Sequence, residues 1–351
     1  MSKTAAGSFF EDFTAGIELI HATPRTVTTG DVALYTALTG VRFPVHSSEP
    51  FARSLGFTAA PLDDFLVFHI VFGKSVPDVS LNAIANLGYA GLRFGAVVYA
   101  GDTLSARSTV IGVKENSNAK TGVVYVRTVG VNQRAEMVLE FIRWVMVPKR
   151  DASAPAPEPV VPELPEAVEP AALIVPDGVR LEGYDTIGAG SPHLWEDFEP
   201  GEKIDHIDGL TIEDAEHMMA AKLYQNTARV HFNQHVEQHG RFARRIVYGG
   251  HIISLARVLS FNGLANAFHI AAINAGRHVA PSFAGDTIYA WSEVREKAAI
   301  ADRDDVGAIR LRLVAAKDHA CTDFPNRIDE KRYHDAVVLD LDYWALMPRR
   351  G

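Results

Sequence analysis

The chain has 351 residues, 47% hydrophobic and 22% charged, a globular composition that excludes a disordered or fibrous protein. Lys and Arg total 34 against 43 Asp and Glu, so the formal charge is −9 and nothing pulls the chain as a whole toward nucleic acid or an anionic membrane. A single cysteine, Cys321, rules out an internal disulfide and a cysteine-built metal site, and points to a reducing, cytoplasmic setting.

The opening MSKTAAGSFFEDF has no apolar run of signal-peptide length before Glu11 and Asp12. Asp31 to Leu38 (DVALYTAL) carries apolar residues at helical spacing. A second helix begins near Asp64 with FLVFHIVFG, apolar on nearly every side and therefore expected to be buried. Strands rich in β-branched residues follow: LSARSTVIGVK after Asp102, GVVYVRTVGV from Gly122 and MVLEFIRWVMV from Met137. Pro148 to Pro176 then holds prolines at 148, 155, 157, 159, 162, 165, 170 and 176. Proline lacks an N–H and fixes φ, so this segment reads as extended and unable to join a strand ladder. Its Val160, Val161, Leu164 and Val168 suggest that it lies along the protein surface.

A second series repeats the first. Asp214 to Tyr224 reads as a helix, Gly250 opens a buried one (HIISLARVLSFNG), and IYAWSEVRE, AIRLRLVAAK and AVVLDLDYWALM read as strands. Val258 to Gly276 is uncharged, but Asn262, Asn266, His269 and Asn274 make it a poor membrane span. No Rossmann or P-loop glycine pattern follows a strand, so a nucleotide cofactor finds no support.

The repetition is internal duplication. FEDFTAG at Phe10 is answered by WEDFEPG at Trp195, Thr26-Val27 by Thr211-Ile212 and His46 by His231, all at a shift of 185. AGDT recurs at Ala100 and Ala284, and Val138 through Arg150 is answered by Val338 through Arg350 at a shift of 200. So long a period suits two fused copies of one domain rather than a solenoid. The expected division is an N-terminal copy at 1–150, a Pro-rich linker at 151–190 and a C-terminal copy at 191–351.

These residues resemble the MaoC-like hot-dog hydratases. The likeness is carried by FGAVVYAGDT at Phe94, LYQNTARVHFN at Leu223, RRIVYGGHIISLAR at Arg244, APSFAGDTIYAWSE at Ala280, SLNAIANLGYAG at Ser80 and GVNQ at Gly130, and covers both copies. It implies an α+β tandem double hot-dog: two antiparallel sheets, each wrapped round a central helix. It also implies reversible hydration of an α,β-unsaturated acyl-CoA, in particular of thioesters with a second, free carboxylate. The CoA is part of the substrate, so no separate cofactor and no metal are required. A homo-oligomer is expected, with no nucleic-acid or membrane partner.

The family signature, Asp-x4-His followed by a glycine turn, falls on Asn226 and His231 and on Tyr248-Gly249-Gly250 in the second copy. In the first copy those places hold Val41, His46 and Asp63-Asp64-Phe65, which argues for a single C-terminal site. His231 is the expected base, its unperturbed pKa lying near working pH. Asn226 departs from the family's Asp and cannot take a proton, so its expected task is to hold the water. The N–H groups of Gly249 and Gly250 at a helix N-terminus would face the developing enolate oxygen. Arg229 is the first choice for the substrate carboxylate, Arg244 and Arg245 for the CoA phosphates, with Tyr248 and His251 lining the pocket.

Three other readings compete. His231, His235 and His239, at four-residue spacing, could hold a metal on one helix face, but Gly240 stops any helix there. A hot-dog thioesterase would need an early acid on the second buried helix, which opens instead with Gly250-His251. A non-catalytic acyl-CoA binder leaves the joint survival of Asn226, His231 and the double glycine unexplained.

Overall fold

Both halves of the chain lay down the same elements in the same order, as a duplicated sequence requires. The computed structural model describes residues 3–330 and 332–350. The first half runs from strand β1 (Glu18–Thr26) through helix α1 (Thr29–Thr39) and buried helix α2 (Asp64–Ser75) to β2 (Ala85–Phe94), β3 (Thr103–Glu115), β4 (Thr121–Val131) and β5 (Met137–Pro148). The second gives β6 (Lys203–Thr211), α3 (Asp214–Leu223), buried helix α4 (Gly249–Leu259), β7 (His269–His278), β8 (Thr287–Ala299), β9 (Val306–Lys317) and β10 (Val337–Pro348). Repetition extends to buried polar pairs: His21 Nε2 lies 2.7 Å from Ser108 Oγ, and its counterpart His206 Nε2 lies 2.8 Å from Ser292 Oγ.

The strands pair antiparallel in the order β1-β3-β4-β5-β2-β7-β10-β9-β8-β6. The two five-stranded sheets are thus joined edge to edge, with Tyr89 opposite Gly276 and Leu92 opposite Ile273, into one ten-stranded sheet. Every residue of α2 is buried, as is α4 from Gly250 to Leu259, so each helix fills the hollow of its own half. No polar face is left on either, and the sheet supplies the apolar surround that such a helix needs. The joining strands are rich in Ala and Gly because large aromatic neighbours leave no room. A Cβ on Gly88 would lie 2.4 Å from the Trp144 ring, and one on Gly276 would lie 2.9 Å from the Tyr89 ring.

The proline-rich segment departs from expectation at one residue. Val160 and Val113 exchange backbone hydrogen bonds of 2.9 Å in each direction, an isolated antiparallel bridge. Pro159 has no donor, but Val160 keeps its own, so the ladder is interrupted rather than forbidden. Farther along, the buried Val168 donates its N–H to Asn274 Oδ1 (2.8 Å) and accepts from Trp344 Nε1 (3.0 Å), pinning the segment to the second half.

Candidate active site

Helix α4 starts without a side-chain cap, its N-cap position being Tyr248. Among the described residues the amides of Gly249 and Gly250 have no protein acceptor, leaving two donors at the positive end of an 11-residue helix. The glycines are also required by packing. A Cβ on Gly249 would stand 2.5 Å from His278 Cε1, and one on Gly250 would stand 2.4 Å from the Tyr248 ring.

His231 closes a short 3-10 turn, Arg229–His231, and its Nδ1 lies 3.0 Å from the Ile246 carbonyl oxygen. A carbonyl only accepts, so Nδ1 carries the hydrogen and Nε2 keeps a lone pair. Burial drives the imidazole pKa down to about 4, against a smaller upward pull from the Ile246 carbonyl. At neutral pH the ring is therefore a neutral base. Asn226 sits just past α3, where its Oδ1 accepts from the Ala228 amide at 3.0 Å. Its Nδ2 is left as a donor to the cavity.

His231, Asn226 and Gly249 line one cavity of about 270 Å³, with Tyr248, Tyr89, His278 and Arg143 on the other walls; Gly250, expected beside Gly249, is buried one step behind this wall, under the Tyr248 and His69 rings. The Tyr248 ring centre lies 5.6 Å from that of His231, and His278 Nε2 lies 3.1 Å from the Tyr89 hydroxyl. Burial takes the His278 pKa down to about 4 as well, with His231 adding to the shift. The cavity is walled largely by apolar surface with a few converging polar groups, which suits a small acyl chain.

The first copy keeps the frame and has lost the chemistry. His46 Nδ1 lies 3.2 Å from the Pro61 carbonyl oxygen, the same 15-residue reach that His231 makes to Ile246. The glycine turn is replaced by Asp63, which caps Phe65 N–H at 2.9 Å, and by Asp64. The Asp64 carboxylate accepts from Ile270 N–H at 2.7 Å and meets His269 Nδ1 at 2.9 Å. Burial pushes its pKa upward, but His269 and His46 more than offset this and hold the carboxylate ionised. The residual cavity beside it measures about 20 Å³, too small for any acyl group.

The family model described as mesaconyl-CoA hydratase matches residues 2–324. The chain belongs to the mesaconyl-CoA hydratase family. It is 68% identical over 350 residues to the β-methylmalyl-CoA dehydratase of Chloroflexus aurantiacus, covering 100% of this chain and 99% of that one. It is 57% identical over 347 residues to the mesaconyl-CoA hydratase of Cereibacter sphaeroides, covering 99% and 100%. The solved structure of a MaoC domain protein dehydratase from Chloroflexus aurantiacus superimposes with a TM-score of 0.98 at 68% identity, covering 100% of both chains. The double hot-dog architecture expected from sequence holds for this family member, as two half-sheets fused into one.

Several side chains singled out in the sequence stand elsewhere in this mesaconyl-CoA hydratase family fold. Arg229 is exposed and outside the cavity wall, because its 3-10 turn points the neighbouring Ala228 and Val230 inward instead. Arg245 is committed to Asp214 and to Met218 Sδ, so it is not a free phosphate ligand. Arg244 is exposed and lies flat on Phe283, 3.9 Å from its ring centre. His251 points away from the cavity and meets Glu216 at 2.9 Å, since one step past Gly250 the helix has turned from the opening. Among the described residues no group of three or more His, Cys, Asp or Glu is placed to hold a metal, and His235 and His239 are exposed. Among the same residues no helix is long and apolar enough to cross a membrane.

The sequence reading missed His278, Tyr89 and Arg143. The first two lie on the Ala- and Gly-rich strands that carry no clear strand signal. Arg143 did carry a signal: MVLEFIRWVMV alternates, and Phe141, Arg143, Val145 and Val147 all fall on its buried face. A cation at an inward position of an otherwise apolar strand is unusual enough to mark a site.

Proposed function

We propose that the chain catalyses the reversible addition of water to mesaconyl-CoA, giving β-methylmalyl-CoA. The observation that carries this reading is the convergence of a buried neutral imidazole with the start of helix α4, whose unpaired Gly249 amide lies on the same small cavity. In the forward direction Nε2 of His231 takes a proton from a water held by the Asn226 amide, and that oxygen bonds to Cβ. The π electrons move to the thioester oxygen, where the Gly249 N–H at the positive end of α4 receives the charge; removing such a donor typically costs about 2.7–4 kcal/mol of barrier. The enolate collapses as Cα takes the proton back from the His231 imidazolium. One water is consumed and His231 ends as it began, which is hydro-lyase chemistry.

The CoA moiety fits an adjoining cleft of about 690 Å³ that shares Asn86, His278 and Ala280 with the acyl cavity. Its rim holds Arg277 and Arg332, neither in an ion pair among the described residues, and we assign the phosphates there rather than to Arg244 or Arg245. With one buried cysteine, Cys321, the chain suits a reducing, cytoplasmic compartment.

The test follows enoyl absorbance and free thiol together. Loss of enoyl absorbance without thiol release is the expected result, and thiol release would make the protein a thioesterase. His231→Ala should lower kcat by about 10²–10⁴-fold while circular dichroism stays unchanged. Retention of most of the rate would remove His231 from the mechanism.

A further inference from the structure

Arg143 is fully buried, 0% exposed, in the wall of the acyl cavity. A buried guanidinium ordinarily has a carboxylate beside it, since an uncompensated charge in a protein interior costs several kcal/mol. Among the described residues no carboxylate lies within ion-pair distance of Arg143. Its Nη2 donates to Ser75 Oγ at 2.8 Å and its Nη1 to Ser80 Oγ at 3.2 Å, while its Cζ lies 4.3 Å above the Phe72 ring. The Nε–H is buried with no acceptor at all. On β2, next to β5 in the sheet, the amide of Asn86 has both its oxygen and its nitrogen buried and unpaired, and it lines the same cavity. Three unsatisfied polar atoms and one unneutralised cation thus meet on one wall. Burial lowers the Arg143 pKa to about 10, which still leaves the group charged at neutral pH.

The corresponding cation of the other half has its donors occupied. At the duplication shift of 200, Arg143 corresponds to Tyr343, and at the shift of 185 its partner Phe72 corresponds to Arg257. Arg257 is consumed by the Ala267 carbonyl, Ser260 Oγ and the Phe43 ring. Of the two equivalent cavities, the one that contains His231 thus faces, among the described residues, a buried cation with an unused donor.

We propose that Arg143, assisted by Asn86, binds the free carboxylate of the substrate, so that the N-terminal half supplies the specificity group for chemistry performed by the C-terminal half. This rests on the hydratase reading above for its substrate. In mesaconyl-CoA the carboxylate is bonded to Cβ, the atom that receives the water oxygen. The cation must therefore reach the same end of the acyl chain as His231. The contacts run that way: Phe72 lies under Arg143, the Phe72 and Tyr248 ring centres are 5.7 Å apart, and Tyr248 and His231 are 5.6 Å apart. Neutralising a carboxylate on Cβ also removes its repulsion of the incoming oxygen and of the growing enolate.

The test uses the full chain, as wild type and as Arg143→Met, Arg143→Lys and Asn86→Ala variants. Two thioesters differ only at the recognised group: mesaconyl-CoA, and tiglyl-CoA, in which a methyl replaces the carboxylate. Arg143→Met should lose on the order of 10²–10³-fold in kcat/KM for mesaconyl-CoA, with tiglyl-CoA changed less than about threefold, and Arg143→Lys should recover part of the loss. Binding of the saturated pair, methylsuccinyl-CoA and 2-methylbutyryl-CoA, reads recognition without turnover. Wild type should favour methylsuccinyl-CoA, Arg143→Met should bind both alike, and Asn86→Ala should narrow the gap. Equal losses on both enoyl thioesters, or an undiminished preference in Arg143→Met, would overturn the assignment. So would a fall in the thermal midpoint of Arg143→Met, which should hold or rise once a charge without a carboxylate partner is removed. A wild type that prefers methylsuccinyl-CoA through Arg143 but hydrates no mesaconyl-CoA would defeat the hydratase reading and leave this one standing.

Discussion

Gly249→Ala places one methyl group where the structure allows none. Its Cβ would lie 2.5 Å from His278 Cε1, 2.6 Å from Nδ1 and 2.8 Å from Nε2, against 3.4–4 Å for ordinary contact. The ring must therefore retreat by roughly 1 Å within a close-packed wall that also binds it to the Tyr89 hydroxyl. Overpacking of this kind costs about 1–3 kcal/mol, and the displaced imidazole intrudes on the amides at the start of α4. Urea unfolding of wild type, Gly249→Ala, His278→Ala and the double variant forms a cycle that isolates the clash. In the His278→Ala background the added methyl meets empty space, so its cost should fall to within about 0.5 kcal/mol of zero, a coupling of about 1–3 kcal/mol between the two positions. Turnover should drop at least tenfold in Gly249→Ala, although its backbone N–H is retained. A cost that is the same in both backgrounds would refute the steric argument.

Three further outcomes are expected. Burial puts the folded pKa of His206, His231 and His278 at about 4, below the unfolded value of about 6.5. The unfolded chain then takes up protons first, so stability is complete above about pH 6.5 and is lost as pH falls toward 4, by on the order of 3 kcal/mol for His206 alone. Equilibrium unfolding of His206→Gln across that range should show a flatter pH dependence than wild type. In brief pH-jump assays the acid limb of kcat/KM should lie near pH 4, and a limb at pH 6.5 would contradict a buried His231. In the first copy, Asp64→Ala leaves the Ile270 N–H and His269 without their partner and should destabilise the fold by about 2–4 kcal/mol. Turnover of the molecules that remain folded should stay within about twofold of wild type.

Much of this architecture is legible before any coordinates. The duplicated FEDF and WEDF turns, the largely apolar helices after Asp64 and Gly250 and the β-branched strands after Asp102, from Gly122 and from Met137 all announce themselves by pattern. So does the asymmetry of the sites, because a glycine turn and an Asp-Asp pair at equivalent places have opposite electrostatics. The seam strands β2 and β7 stay hidden since their sequences answer to neighbours distant in the chain: Gly88 yields to Trp144, and Gly276 to Tyr89. With those strands went His278 and Tyr89. The arginines were misjudged for a different reason. Nearness to the signature in sequence favours Arg229 and Arg245, but one turns to solvent and the other to Asp214, whereas Arg143 reaches the cavity from a strand 88 positions before His231.

Fusion of the halves has a consequence for what the pocket can become. Two identical chains paired about a twofold axis must write every residue twice, so an unpartnered cation placed in one site would burden both. A single polypeptide escapes that bookkeeping. Position 143 can be Arg while its twin at 343 is Tyr, and Asp64 can cork the spare chamber while Gly249 keeps the other open. Broken symmetry lets one half specialise in reaction and the other in recognition, at the cost of a vacated second workplace.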